Sequence, residues 1–202
     1  MESIKINKKI ISIKSIDSSL PTKIQYDSAP KRLDVMLCDI HRATIKGEEW
    51  IIFVGLLKGD PYELFGGLSD TIEIPKKYKS GRMMKRSFKG GGKYDLILGE
   101  GDEELKIKDI VHVFDNPNYA EWTRVLSMSM RHGVPIQYIV EQLQRGKEAD
   151  LHSFSKVISR VLKKYISDGI ESSKSCPSCN ANSMAYQEGC LTCMSCGYAK
   201  CG

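Results

Sequence analysis

No run of eighteen apolar residues occurs anywhere in this 202-residue chain, so it offers no segment of the length and hydropathy that a helix needs to cross a bilayer. Its first residues, MESIKINKKIISIKSID, mix Lys and Asp into the apolar positions instead of forming a signal core. The chain is therefore expected to be cytoplasmic and to have no membrane partner. It has no Walker loop, no Gly-x-Gly-x-x-Gly and no nucleophile elbow, which removes the common phosphate-loop, dinucleotide and hydrolase readings. The histidines His41, His112, His132 and His152 lack metal-ligand spacing, and His132, just before Gly133, reads as a charge at a helix end. Cysteine is almost missing outside one region. Of seven, six fall between Cys176 and Cys201, so no disulfide scaffold spreads across the fold. Cys38, in an apolar run, reads as a buried structural thiol.

What remains is ordinary for a globular protein, with 41% hydrophobic and 27% charged residues and a net charge of +5. Acidic residues are absent from one stretch, Lys76 to Lys93, which carries eight Lys or Arg. With its Gly90-Gly-Gly92 it could cradle the phosphates of a nucleotide or of nucleic acid, or form a solvated mobile loop.

Residues 1–30 alternate weakly and read as an N-terminal arm or strand. From Leu33 the pattern strengthens into Cys38–Ile45, Glu49–Leu57 and Tyr62–Phe65, with a turn at Lys58-Gly-Asp-Pro61, which predicts an antiparallel hairpin. A second hairpin is predicted from Tyr94–Leu98 and Leu105–Val111, with the basic segment between the two. After Asp115-Asn-Pro117 the period lengthens to that of a helix with Tyr119, Trp122, Val125, Leu126 and Met130 on one face. Pro135 opens a second helix closed by Gly146, and Phe154 to Tyr165 marks a third. Strands followed by helices predict an α+β domain over residues 31–169. Polar Ile170 to Ser175 reads as a tether to a cysteine module over 170–202.

That module is written Cys176-Pro-Ser-Cys179, then Cys190-Leu-Thr-Cys193-Met-Ser-Cys196-Gly-Tyr-Ala-Lys-Cys201. Two Cys-x-x-Cys knuckles offer four thiolates to one tetrahedral zinc, as in a zinc ribbon. One frame takes Cys176, Cys179, Cys193 and Cys196, whose Pro and Gly suit tight knuckle turns, and leaves Cys190 with Cys201. The other takes Cys190 with Cys193 and leaves Cys196 with Cys201. Either way two thiols are spare, and on a mobile end beside a metal site they are expected to be redox-active.

The residues Cys38-Asp-Ile-His41, Lys46–Trp50, Val54–Leu57, Pro61–Glu63, Met130–Ile139, Leu151–Val157 and Tyr186 to Gly202 resemble the C-terminal region of adenosylcobalamin-dependent (class II) ribonucleotide reductase. The resemblance covers about residues 30–202. It implies a catalytic partner chain that carries the barrel and the adenosylcobalamin, since 202 residues hold no such barrel. It further implies that C-terminal cysteines here reduce the partner's active-site disulfide and are recharged by a thioredoxin-like donor. On this reading Met1 and the terminal Cys201-Gly202 are expected to bound a small chain from a split gene, inactive by itself, that serves deoxyribonucleotide and hence DNA synthesis. Two other expectations stand beside it, a zinc-ribbon nucleic-acid-binding protein and a purely structural module.

Overall fold

The computed structural model of the protein describes residues 28–88, 91–114, 116–145 and 152–201. The expected N-terminal arm lies outside them apart from its last three residues, as do Lys89, Gly90 and the Gly146 stop. The architecture is α+β: a six-stranded antiparallel sheet, three helices and a three-stranded C-terminal sheet.

Strands β1 (Val35–Ile45), β2 (Glu48–Leu57) and β3 (Asp60–Leu68) form a meander. Its turns are the pairs Lys46-Gly47 and Lys58-Gly59, all four residues at positive φ. Two left-handed residues in succession match the twist of the flanking strands, and a glycine at the second of each pair lowers the cost. The run Trp50 to Val54 shows no apolar-polar alternation because both faces of β2 are covered. Trp50, Ile52 and Val54 face the helices, while Ile51 and Phe53 face a second core.

That second core lies inside the curl of the sheet. The strand order is β3-β2-β1-β4-β5-β6, so β3 and β5 would stand roughly 19 Å apart in a flat sheet at ordinary strand spacing. Instead the Phe65 and Tyr94 rings, one on each, lie 5.2 Å apart. Arg32 spans the same gap: its guanidinium pairs with Glu63 and sits 5.1 Å from the Tyr94 ring centre. Met83, Leu96, Leu98, Ile110 and Phe114 fill the interior.

The basic segment is not a loop between hairpins. Residues Ser80–Phe88 are strand β4 and Gly91–Leu98 strand β5, and β4 pairs with both β1 and β5. Arg82, Met84 and Arg86 flank the buried Met83 on the opposite face, but Lys85 falls on the Met83 face and is exposed, so the period-two pattern of β4 is broken. The second hairpin is also shorter than expected. Strand β6 covers only Leu105–Ile107, because Asp109 adopts a left-handed conformation and turns the chain into a 3₁₀ turn at Ile110–His112.

Helix α1 (Pro117–Arg131) starts as expected, with the Asn116 side chain accepting from the Asn118 N–H at 3.0 Å and Pro117 in the first turn. Its buried face differs. Trp122 and Val125 are exposed, and Thr123, Leu126, Ser127 and Met130 are buried. The cause is close approach to β3: the Leu64 N–H donates to the Ser127 hydroxyl at 2.9 Å, and a Cβ on Gly67 would lie 2.5 Å from the Phe114 ring. Small side chains fit that seam; a tryptophan does not. Helices α2 (Ile136–Leu143) and α3 (His152–Leu162) pack Ile139, Val140, Phe154, Val157, Ile158 and Val161 onto the outer face of the meander.

The expected tether is docked, not free. Gly169 N–H donates to Tyr186 O, Tyr186 N–H to Ile170 O and Ser172 N–H to Met184 O, at 2.8 to 2.9 Å. Buried Glu141 on α2 accepts from the hydroxyls of Ser172 and Ser173 at 3.0 and 3.1 Å. Met184, Tyr186, Leu191 and Cys193 then join the same core as α2 and α3. No helix among the described residues is long and apolar enough to cross a membrane.

Candidate functional site

The C-terminal sheet has order β7-β8-β9, with β7 at Met184–Gln187, β8 at Cys190–Cys193 and β9 at Ala199–Lys200. Two knuckles flank it, and they close identically. The Asn180 N–H donates to Cys176 O and the Gly197 N–H to Cys193 O, each at 2.9 Å. Asn180 and Gly197 both have positive φ, 58° and 74°. A left-handed residue just after each Cys-x-x-Cys folds the chain back so that both sulfurs of the pair point the same way. Gly197 was visible in the sequence. Asn180, its counterpart, was overlooked, although Asn is the non-glycine residue most tolerant of this conformation.

The knuckles bring the sulfurs of Cys176, Cys179, Cys193 and Cys196 within 4.8 Å of one another. Cys176 and Cys196 are 3.6 Å apart and Cys179 and Cys193 3.7 Å. Four ligands at a zinc–sulfur distance of 2.3 Å in a tetrahedron stand about 3.8 Å from each other, so the spacing fits that ion and the cluster could bind zinc. The surroundings of Cys193 suit a thiolate. The Ser183 hydroxyl, 3.4 Å from the Cys193 sulfur, holds that thiol down to about 6, with backbone N–H groups of Cys196 and Ser195 adding to its effect. The Ser178 N–H donates to the Cys176 sulfur at 3.4 Å.

Cys190 and Cys201 lie outside this set, joined as a disulfide. The strand register produces it: Leu191 faces Lys200 across the β8–β9 pair, so the next residues outward, Cys190 and Cys201, oppose one another with Cα atoms 4.4 Å apart. Along β8, Leu191 and Cys193 are buried while Cys190 and Thr192 are half-buried. The disulfide is therefore on the side of the strand that solvent reaches, with Cys201 exposed. Of the two cysteine frames, this geometry assembles the one that groups Cys193 with Cys196. It does not assemble Cys190 with Cys193, whose side chains leave the strand on opposite faces.

The remaining sequence candidates come out differently. Cys38 is 1% exposed, and burial pushes its thiol far up, with the Glu63 and Asp39 carboxylates adding to the effect. Several cations of the basic segment meet carboxylates: Arg86 holds Asp95 through two hydrogen bonds of 2.6 and 2.8 Å, Lys93 meets Asp109 at 2.7 Å, and Arg82 meets Glu104 at 3.1 Å. Ser80–Phe88 and residues 91–93 lie in the strand ladder, whereas Lys89 and Gly90 fall outside the described residues. Of the aromatics beside the knuckles, Tyr186 is 1% exposed and Tyr198 half-buried. Tyr186 therefore presents no face for stacking a base.

Residues 36–167 match a family model described as NrdJ homologue C-terminal domain. The matched segment ends before the first knuckle, so the cysteine module rests on its own geometry. No curated protein and no solved structure matches the chain.

Proposed function

Since the chain belongs to the NrdJ homologue C-terminal domain family, which links it to ribonucleotide reductase, we propose that it is the reductant-handling component of such an enzyme. In this reading a separate catalytic chain carries the adenosylcobalamin and the barrel. The observation that carries the proposal is the cross-strand pair Cys190–Cys201, half-exposed and left over from a four-sulfur set that suffices for a metal.

The chemistry is dithiol–disulfide exchange. A thioredoxin-like dithiol gives two electrons and two protons to the Cys190–Cys201 disulfide and is itself oxidised. One of the two resulting thiols, as thiolate, attacks the active-site disulfide of the catalytic chain. A mixed disulfide forms and one partner thiol leaves. The second thiol then attacks that mixed disulfide, so the partner regains its dithiol and Cys190–Cys201 re-forms. Zinc bound at Cys176, Cys179, Cys193 and Cys196 would hold the ribbon folded and add positive charge near the pair, favouring thiolate.

Docking of the ribbon alters how the exchange is arranged. The sequence suggested a tether and a mobile end, whereas here Glu141, Ser172 and Ser173 fasten the segment leading to the ribbon. The partner's disulfide must therefore approach a fixed surface, or the docked segment must first detach.

The test is multiple-turnover nucleotide reduction by the catalytic chain with thioredoxin as donor, plus this chain carrying Cys190→Ser and Cys201→Ser. Single-turnover product from a pre-reduced catalytic chain should persist while turnover with the natural donor is lost. Undiminished multiple turnover would rule out the relay.

A further inference from the structure

Strands β8 and β9 form a hairpin that is fastened at both ends. At its tip, the second knuckle presents Cys193 and Cys196, two of the four clustered sulfurs. At its mouth, the disulfide joins Cys190 to Cys201, so both of those ligands lie inside the loop that the bond closes. Between the ends stand the pairs Leu191–Lys200 and Thr192–Ala199 and a bond of 2.7 Å from the Cys193 N–H to Tyr198 O. Strand β9 is two residues long, exposed and at the edge of its sheet. A hairpin so short gains little hold from its own ladder.

The two ligands of this knuckle are unequally secured. Cys193 is 1% exposed and sits in the core shared with α2 and α3. The Ser183 hydroxyl reaches its sulfur, and Ser183 O accepts from the Met194 N–H at 2.8 Å. Cys196 is exposed, and the chain beyond it runs directly into β9. The first knuckle is held by other means. Cys176 is buried in the same core, its N–H donates to Ala181 O at 2.9 Å, and the docked segment leads into it. Cys196 is therefore the ligand whose place depends most on the mouth of the hairpin.

We infer that the Cys190–Cys201 bond has a second function apart from electron transfer: it positions Cys196 for the metal, so that disulfide and zinc each strengthen the other. A closed mouth removes chain freedom that metal binding would otherwise have to remove. By linkage, a bound metal makes the disulfide harder to reduce by the same factor. Reduction breaks the sulfur–sulfur bond, with two electrons and two protons supplied by a dithiol that closes its own disulfide. The hairpin then keeps the fastening at its tip alone. The charge of the metal favours thiolate in the opened pair and acts in the opposite direction. At a pair that solvent reaches, that charge is screened, and loop closure is the larger effect. The inference rests on the register of the hairpin and stands whether or not a catalytic chain draws electrons from the pair.

The experiment is competition for zinc between a chromophoric chelator and the full chain, taken in its disulfide form and as the double variant Cys190→Ser with Cys201→Ser. The disulfide form should hold zinc about tenfold more tightly, a part of what closing a loop of this size is worth. The parent chain, reduced by a dithiol and then freed of it without air, should match the variant. Equilibration with dithiothreitol, with the linked Cys190–Cys201 peptide counted by mass spectrometry, should place the potential about 30 mV lower with zinc than without, the tenfold factor for two electrons. Alkylation of the zinc-loaded chain locates the effect. Cys196 should react several-fold faster once the pair is open, while Cys179, also exposed, keeps its rate. Equal zinc affinity in the two forms, tighter binding by the open form or an unchanged potential would overturn the coupling. Acceleration shared evenly by Cys179 and Cys196 would overturn the assignment to Cys196.

Discussion

The His41 Nε2 atom lies 2.7 Å from the Tyr165 hydroxyl, which spends its own proton on Asp39 Oδ2, also at 2.7 Å. The phenol oxygen can then only accept from His41, so the imidazole carries its proton on Nε2. Burial lowers the His41 pKa to about 4, helped by Lys164 and opposed by Asp39. A histidine that binds its second proton less readily folded than unfolded stabilises the fold fully above the unfolded value of 6.5. That contribution should fall away as the pH drops from about 6.5 to about 4. Imidazole shifts followed by NMR should show His41 neutral at pH 5.5, and urea midpoints should decline across that window.

Glu63 is fully buried and holds Arg32 at 2.6 Å and Arg131 at 3.5 Å, tying the segment before β1 and the end of α1 to β3. Glu63→Gln leaves the Arg32 guanidinium, 8% exposed, without its counter-charge. We expect a loss of about 3 kcal/mol, measured by urea denaturation, whereas Trp122→Ser on the exposed face of α1 should cost no more than about 0.5 kcal/mol.

Cys193 is at once a member of the sulfur cluster and a core residue packed with α2 and α3. Cys193→Ser should lower zinc to well under one ion per chain. It should also lower the melting temperature of the whole domain by several degrees, not merely loosen the tail, because the ribbon and the helices share a core. Calorimetry alongside metal analysis reads both. An unchanged main transition would separate the ribbon from the domain.

Glu141 fastens the docked segment through Ser172 and Ser173. Glu141→Ala removes both acceptors, so amide exchange at Ser172 and Tyr186, whose N–H groups bond Met184 and Ile170, should accelerate by about tenfold or more. Amides of β2 should be unaffected.

The strands of the meander, the Asn116 cap with Pro117, the three helices and the grouping of six cysteines were all legible in the residues, because each depends on local periodicity, a fixed turn residue or spacing along the chain. The face of α1 was not, since Trp122 looks like a core residue until β3 comes close enough to admit only Thr123 and Ser127. Strand β4 hid behind Arg82, Lys85 and Arg86: local charge suggested a loop, and only pairing with its neighbours made it a strand.

By itself, then, the sequence determined that a zinc-sized set of thiols and two spare ones occur together, because two Cys-x-x-Cys knuckles carry their own turn chemistry. Tertiary structure alone decided which cysteines oppose one another, through the β8–β9 register, and that Ile170 to Ser175 is a docked strap, through a buried carboxylate 31 residues away in the chain. Convergence of that kind has no periodicity along the chain, since the strands and the helix that present those side chains meet only when the core closes.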